Sequence, residues 1–252
     1  MKMFEVAAAT LVIAAVVACG GADSAEDTAG GASDTLEAVC TELGAITCED
    51  SLVQDLSFQE AISIGSITNQ RLGPEFLSNV DATAGGFQQA GSNPWVYVRF
   101  TNAGLEKVEL SDEDSLESMD WHLAAHRFKI RMNGGSSGPS CVGASAMLEQ
   151  RYDDVTAIPE GLQYYEDDYY SPDCSMIEDS YGMGSPQVYL TGWWEYPGCV
   201  ATTGTPYLIQ IEDGRVVKLV VESYYQSGQD SCNASGSPGS GSGNFQWRWR
   251  FM

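Results

Sequence analysis

The sequence predicts a mainly β protein: antiparallel sheets of hairpins joined by long loops, with few short helices. Three stretches carry that expectation. NPWVYVRFTNAGLEKVEL alternates, with Trp95, Tyr97 and Arg99 on one side and Val96, Val98 and Phe100 on the other, then turns at Asn102-Ala103-Gly104 and returns. TPYLIQIEDGRVVKLVVESYY sets an Asp213-Gly214 dipeptide, a strong hairpin signal, between two β-rich runs. The final NFQWRWRF places Phe245, Trp247, Trp249 and Phe251 on one face and Gln246, Arg248 and Arg250 on the other, as a half-buried strand does.

The N-terminus is an address. Lys2 precedes the apolar run FEVAAATLVIAAVVAC, which ends in Val17-Ala18-Cys19-Gly20. A charged start, a short apolar stretch and small residues before the break describe a secretory signal. The ending resembles a bacterial lipobox, which would make Cys19 the lipidated first residue of the mature chain. An ordinary secretory signal or a short membrane anchor is the alternative. The expected layout is a lipoprotein signal at 1–18, a flexible Gly/Ser/Ala-rich tether at 19–38 and one body at 39–252. The absence of Asp after Cys19 favours the outer membrane, with the body held at the cell surface.

Seven cysteines less Cys19 leave Cys40, Cys48, Cys141, Cys174, Cys199 and Cys232. An even set in an exported chain reads as disulfides, with fifteen possible pairings. Cys40 with Cys48 would close a local loop, Cys199 with Cys232 would meet at the open end of the late hairpin, and Cys141 with Cys174 would complete the set. A zinc site would need C-x-x-C spacing, which is absent. Twelve basic residues against 35 acidic ones give a net charge of −23, which repels nucleic acid and anionic lipid headgroups.

Both histidines lie in DWHLAAHRFKIRMNGGSSG, at His122 and His126. The stretch fits helical spacing through Trp121, Ala124, Ala125, Phe128 and Met132, and equally a strand with His122, Ala124, His126, Phe128 and Ile130 on one face. Zincin chemistry is excluded because Leu123 stands where H-E-x-x-H needs Glu. Gly134-Gly135-Ser136-Ser137-Gly138 matches G-x-S-x-G, but Pro139 follows where a helix should begin, and no histidine lies downstream of the serine. The run Glu166-Asp167-Asp168 lacks the order of a calcium loop and reads as a solvated loop. No carboxylate pair can be nominated for glycosidase work.

Two long stretches stand out. QSGQDSCNASGSPGSGSGN is low in complexity and reads as a flexible loop anchored at Cys232. IPEGLQYYEDDYYSPDCSMIEDSYGMGSPQ carries five tyrosines and two methionines. It suits a loop that covers a ligand, or one packed on the sheet by its aromatics.

Trp121, Leu123, Ala124, Arg127, Ile130, Asn133, Gly134, Gly135, Ser136, Ser137 and Gly138 fall on a pattern that resembles the signature of the HmuY-like haem-binding lipoproteins. NPWVYVRF and the late hairpin with its aromatic closing strand resemble further parts of that family, so the likeness runs from about Trp95 to Phe251. It implies an almost all-β fold and capture of haem at the bacterial surface for iron acquisition, with hand-over to an outer-membrane receptor and no enzymatic step. It makes the histidine stretch a strand followed by the NGGSSG turn. His122 and His126 would then lie about 13 Å apart along that strand and could not share one metal ion. Trp121, Arg127, Asn133, Gly134 and Gly135 are its structural marks.

The family's iron ligands, His or Met, lie beyond the NGG turn. This chain has no histidine there, and offers Met176 and Met183, with Met147 before them and His126 as a weaker donor. Thioethers ligate haem iron. The missing histidines also leave open a surface interaction or adhesion module that kept the scaffold without the haem.

Overall fold

The computed structural model describes residues 39–83, 92–179 and 185–252. Cys19, the signal, the tether and Met183 lie outside the described residues. In chain order the elements are α1 (Glu49–Asp55), β1 (Ile67–Leu72), β2 (Glu75–Asp81), β3 (Val96–Thr101), β4 (Gly104–Val108), β5 (Leu123–His126), β6 (Lys129–Met132), β7 (Gly143–Ala146), β8 (Trp194–Glu195), β9 (Ala201–Thr202), β10 (Tyr207–Gln210), β11 (Val216–Tyr225), α2 (Asp230–Ser235) and β12 (Ser242–Phe251). The fold is mostly β, as expected. Six strands pair in the order β1-β2-β12-β11-β10-β7, four in the order β4-β3-β5-β6, and β8 pairs with β9. Every pairing between these strands is antiparallel.

The alternation read from the sequence decides the layers. Val96, Val98 and Phe100 of β3 join Phe245, Trp247 and Trp249 of β12 and Val217 and Leu219 of β11 in one core shared by the two large sheets. On the other face of β3, Trp95 and Tyr97 pack with Trp121, Tyr169, Tyr170 and Leu52 in a second core. The four-stranded sheet is therefore buried on both faces at its centre, while Arg99 stays outside and pairs with Glu106 at 3.0 Å. The Asp213-Gly214 hairpin forms between β10 and β11.

The seven residues of α1 are too few to hold a helix alone in water. Glu49 and Asp50 suit the positive end of its dipole, Leu52 is fully buried, and a disulfide clamps its first turn.

The disulfides correct two of the three expected pairs. Cys199 joins Cys232 as expected, but Cys40 joins Cys141 and Cys48 joins Cys174. The reason is the path of the first described residues. Gly44 N–H donates to Pro139 O at 2.6 Å, which lays this segment along the turn that contains Cys141. Closeness in sequence between Cys40 and Cys48 counts for nothing when each faces a different element.

Three further expectations change. The histidine stretch is a tight hairpin, β5 and β6, and not a single strand: His126 pairs with Lys129 across Arg127 and Phe128. Arg127 takes the left-handed conformation at φ 54°, and its N–H donates to Ala82 O at 3.0 Å. The Gly/Ser-rich stretch contains α2, held by Cys232 and by Gln229 Nε2, which donates to Val200 O and Asn233 Oδ1. Asp167 is not on a solvated loop. It is 1% exposed, and its carboxylate accepts hydrogen bonds from the N–H groups of Met132 and Tyr189 and from the Tyr169 hydroxyl.

Candidate ligand-binding site

The signature residues build a scaffold that aims the β5–β6 turn. Trp121 is fully buried and its indole N–H donates to Ser115 O at 3.0 Å. Asn133 follows β6, and its side-chain amide donates to the carbonyls of Trp121 and Ser118 and accepts from Ser140 N–H. One side chain thus closes the chain on both sides of the hairpin. Gly134 bridges to Cys141, where a Cβ would collide with Val142 O. Gly135, at φ 64°, lies against Asp167 O, so it needs both the left-handed backbone and the missing side chain. From this turn the chain crosses to β7 in the six-stranded sheet.

His122 belongs to the scaffold too. Its Nδ1 accepts from Phe100 N–H at 2.9 Å, and its Nε2 lies 3.0 Å from a Glu212 carboxylate oxygen. Burial pushes the Glu212 carboxyl up, but the hydrogen bond and charge of His122 outweigh it and leave it lowered. With both ring nitrogens occupied, His122 is not placed to ligate a metal. Among the described residues no three His, Cys, Asp or Glu side chains converge on a metal site.

The turn itself carries different chemistry. The His126 ring is half-buried, with its centroid 5.2 Å from that of Trp95. Phe128 reaches the opposite way and lies 5.1 Å from Trp194. Arg127 stands between them, its guanidinium 5.7 Å from the Phe128 centroid. Lys129, pushed down to about 8 by burial with Asp179 opposing, completes the turn.

Arg127, Phe128 and Trp194 form one wall of a cleft of about 590 Å³. Tyr196, Val200, Tyr224 and Pro238 line the rest, together with Cys199, which is bridged to Cys232. This size and this apolar, aromatic lining with one cation suit an organic ligand. Burial pushes the Tyr224 hydroxyl up, so it stays a neutral phenol at ordinary pH. Phe128, Trp194 and Tyr224 were not singled out by sequence reasoning. Their signal was only that aromatics are dense in this chain.

Met176 is half-buried and packs against the second core, the cluster that contains Trp95. Met176 and His126 therefore border the same aromatic cluster, on the side of the turn away from Phe128. Neither lines the cleft, and among the described residues the cleft presents no His or Met. Tyr169 and Tyr170 of the tyrosine-rich stretch are buried in that second core, so this part of the stretch packs on the sheet.

Residues 92–236 match the family described as HmuY protein. Among solved structures, the chain is similar to one assigned as a HmuY-like haem-binding protein from Bacteroides vulgatus, at 18% identity and a TM-score of 0.44, over 75% of this chain and 97% of that one. It is similar to a protein assigned as a lipoprotein from Bacteroides fragilis, at 17% identity and a TM-score of 0.43, over 75% and 94%. A HmuY analogue from Tannerella forsythia, in its apo form, gives 16% identity and a TM-score of 0.40, over 74% and 97%. No curated protein matches the chain.

Proposed function

The chain belongs to the HmuY family, and on that premise we propose that it is a non-enzymatic, lipid-anchored protein of the bacterial surface that binds haem and passes it to an outer-membrane receptor. One observation carries the site: the β5–β6 turn sets an imidazole, a guanidinium and an aromatic ring on three successive residues beside an apolar cleft. The cleft fits two of haem's three needs and lacks the third among its described residues. Haem needs an apolar face, a cation for its carboxylates and a nitrogen or sulfur donor for its iron. Phe128 and Trp194 supply the face and Arg127 the cation, while the described donors, His126 and Met176, border the Trp95 cluster on the other side of the turn, with Met183 beyond them in the chain.

When bound, haem supplies an iron centre that side chains ligate reversibly. The chain's own part is to present flat apolar surface, exclude water and hold a carboxylate. Cys19 would carry the lipid, and among the described residues no helix is long and apolar enough to cross a membrane.

A second reading, an interaction module without haem, is favoured by the lack of His and Met among the described residues lining the cleft. Haemin titration of the mature protein decides between them. A saturable Soret shift, altered in its ligand bands by His126→Ala, Met176→Ala or Met183→Ala, supports haem binding. No saturable shift supports the interaction module.

A further inference from the structure

We propose that the outer face of the six-stranded sheet holds a second site, for a neutral polyhydroxylated ligand of the saccharide class. A groove of about 550 Å³ lies there, lined by Thr68, Asn79, Glu222, Ser223, Asn244 and Gln246 and closed at one end by Gln226 to Asp230. Its floor is one row across four strands. Thr68 of β1 faces Asn79 of β2, Asn79 faces Gln246 of β12, and Gln246 faces Ser223 of β11.

The row is wired internally with capacity to spare. Gln246 Nε2 donates to Asn79 Oδ1 at 3.3 Å, and Asn79 Nδ2 donates to Thr68 Oγ1 at 3.3 Å. Each amide keeps a second N–H, and Gln246 keeps its oxygen. Phe245 and Trp247, fully buried on either side of Gln246, fix which way the row points.

The backbone is irregular here and regular over the rest of the β11–β12 pairing. Register shifts fall between Val221 and Ser223 and again between Ser223 and Tyr225. A regular pleat would send Glu222 and Ser223 to opposite faces. The two shifts let both border the groove, and Tyr225 and Gln226 likewise. Bulges are concentrated where a side chain must be re-aimed.

The lining selects the ligand. Among the described residues it contains no Lys, Arg or His, so an anion in a chain of net charge −23 has nothing to meet there. It presents too little apolar surface for a hydrophobic guest. Among the described residues Glu222 and Asp230 are its only carboxylates, short of what a hard cation asks. Amides and carboxylates that donate and accept at close spacing match vicinal hydroxyls. Partial desolvation pushes the Glu222 carboxyl up, with Arg248 opposing, while the residue stays exposed to a ligand.

The test is NMR on the mature, disulfide-bonded, nitrogen-labelled protein. Glucose, galactose, mannose, N-acetylglucosamine and their short oligomers are added singly, and the side-chain amide signals of Asn79, Gln226, Asn244 and Gln246 are followed. At least one sugar should shift these signals saturably, and Asn79→Ala and Gln246→Ala should each weaken its binding about tenfold. Glu222→Gln, a near-isostere that leaves the fold intact, should weaken it as well. The proposal is overturned if no sugar gives saturable shifts, if calcium chloride alone shifts the same amides, or if all three variants bind like the parent. Haemin binding should be unchanged in all three, because none of these three residues lines the cleft beside the β5–β6 turn, although Tyr225 borders both.

Discussion

Arg131 and Tyr97 are bound to each other twice: Nη2 donates to the Tyr97 hydroxyl at 2.8 Å, and the guanidinium lies 5.3 Å from the ring centroid. The same hydroxyl donates to Asp112 Oδ1 at 2.9 Å. Arg131 also donates to Ser115 Oγ and Ser137 O, under the rings of Phe58, Trp95 and Trp121. Asp112 and Asp167 balance this buried cation. Arg131→Ala would leave both carboxylates without it, and a loss of about 3–5 kcal/mol is expected. Urea unfolding followed by tryptophan fluorescence measures it, and a loss below about 1 kcal/mol would contradict the network.

Asp167 makes stability depend on acidity. Burial pushes its carboxyl up to about 6, despite three hydrogen bonds and Arg131 pulling it down. An unfolded Asp titrates near 4, so the folded state holds the proton more tightly. This group's contribution is full below about pH 4 and is lost as pH rises through about 6. Thermal midpoints of the parent and of Asp167→Asn, compared across that window, should diverge with pH. A constant difference would exclude the titration.

Cys48–Cys174 spans 126 residues. Replacing both by Ser should cost about 4–5 kcal/mol on the chain-entropy scale for so long a loop. The loss should be local first: hydrogen exchange should accelerate in α1 and around Tyr169 and Tyr170, with β11 and β12 unaffected. Uniform acceleration would mean that the bridge supports the whole body equally.

The two histidines should behave differently. His122→Gln removes the link between Phe100 N–H and Glu212, so it should lower stability by about 1–3 kcal/mol and leave haemin titration unchanged. His126→Ala should alter the haemin spectrum with little change in stability. Trp194→Ala, which strips one wall of the cleft, should weaken haemin about tenfold. Equal spectral effects from both histidine variants would refute the division of roles.

β12 was readable because its period is two in every residue, and β3 and β11 were readable as β-rich runs bounded by turn signals. The β5–β6 turn was not, because its left-handed residue is Arg127, with no Gly or Asn to announce it. Arg131 and Asp167 were hidden for a related reason. Charged residues ordinarily face water, and only their partners, 34 and 35 residues away in Tyr97 and Met132, reverse that. The Asn133-Gly134-Gly135 turn was legible as a mark, but its work, closing the hairpin from outside, shows only in three dimensions. Disulfide partners were beyond sequence because pairing follows the fold's path.

Cys40 is the second of the described residues, and Cys141, its partner, sits at the turn between the two sheets. Any pull on the N-terminal end therefore enters the body through a covalent bond. Of the two hydrogen bonds to Glu212 O, the one from Val39 N–H takes load before the bridge, and the one from Cys40 N–H sits at it. Under the lipid anchor proposed above, tension would reach the body at its middle, through Cys141, before it could unzip the fold from its end.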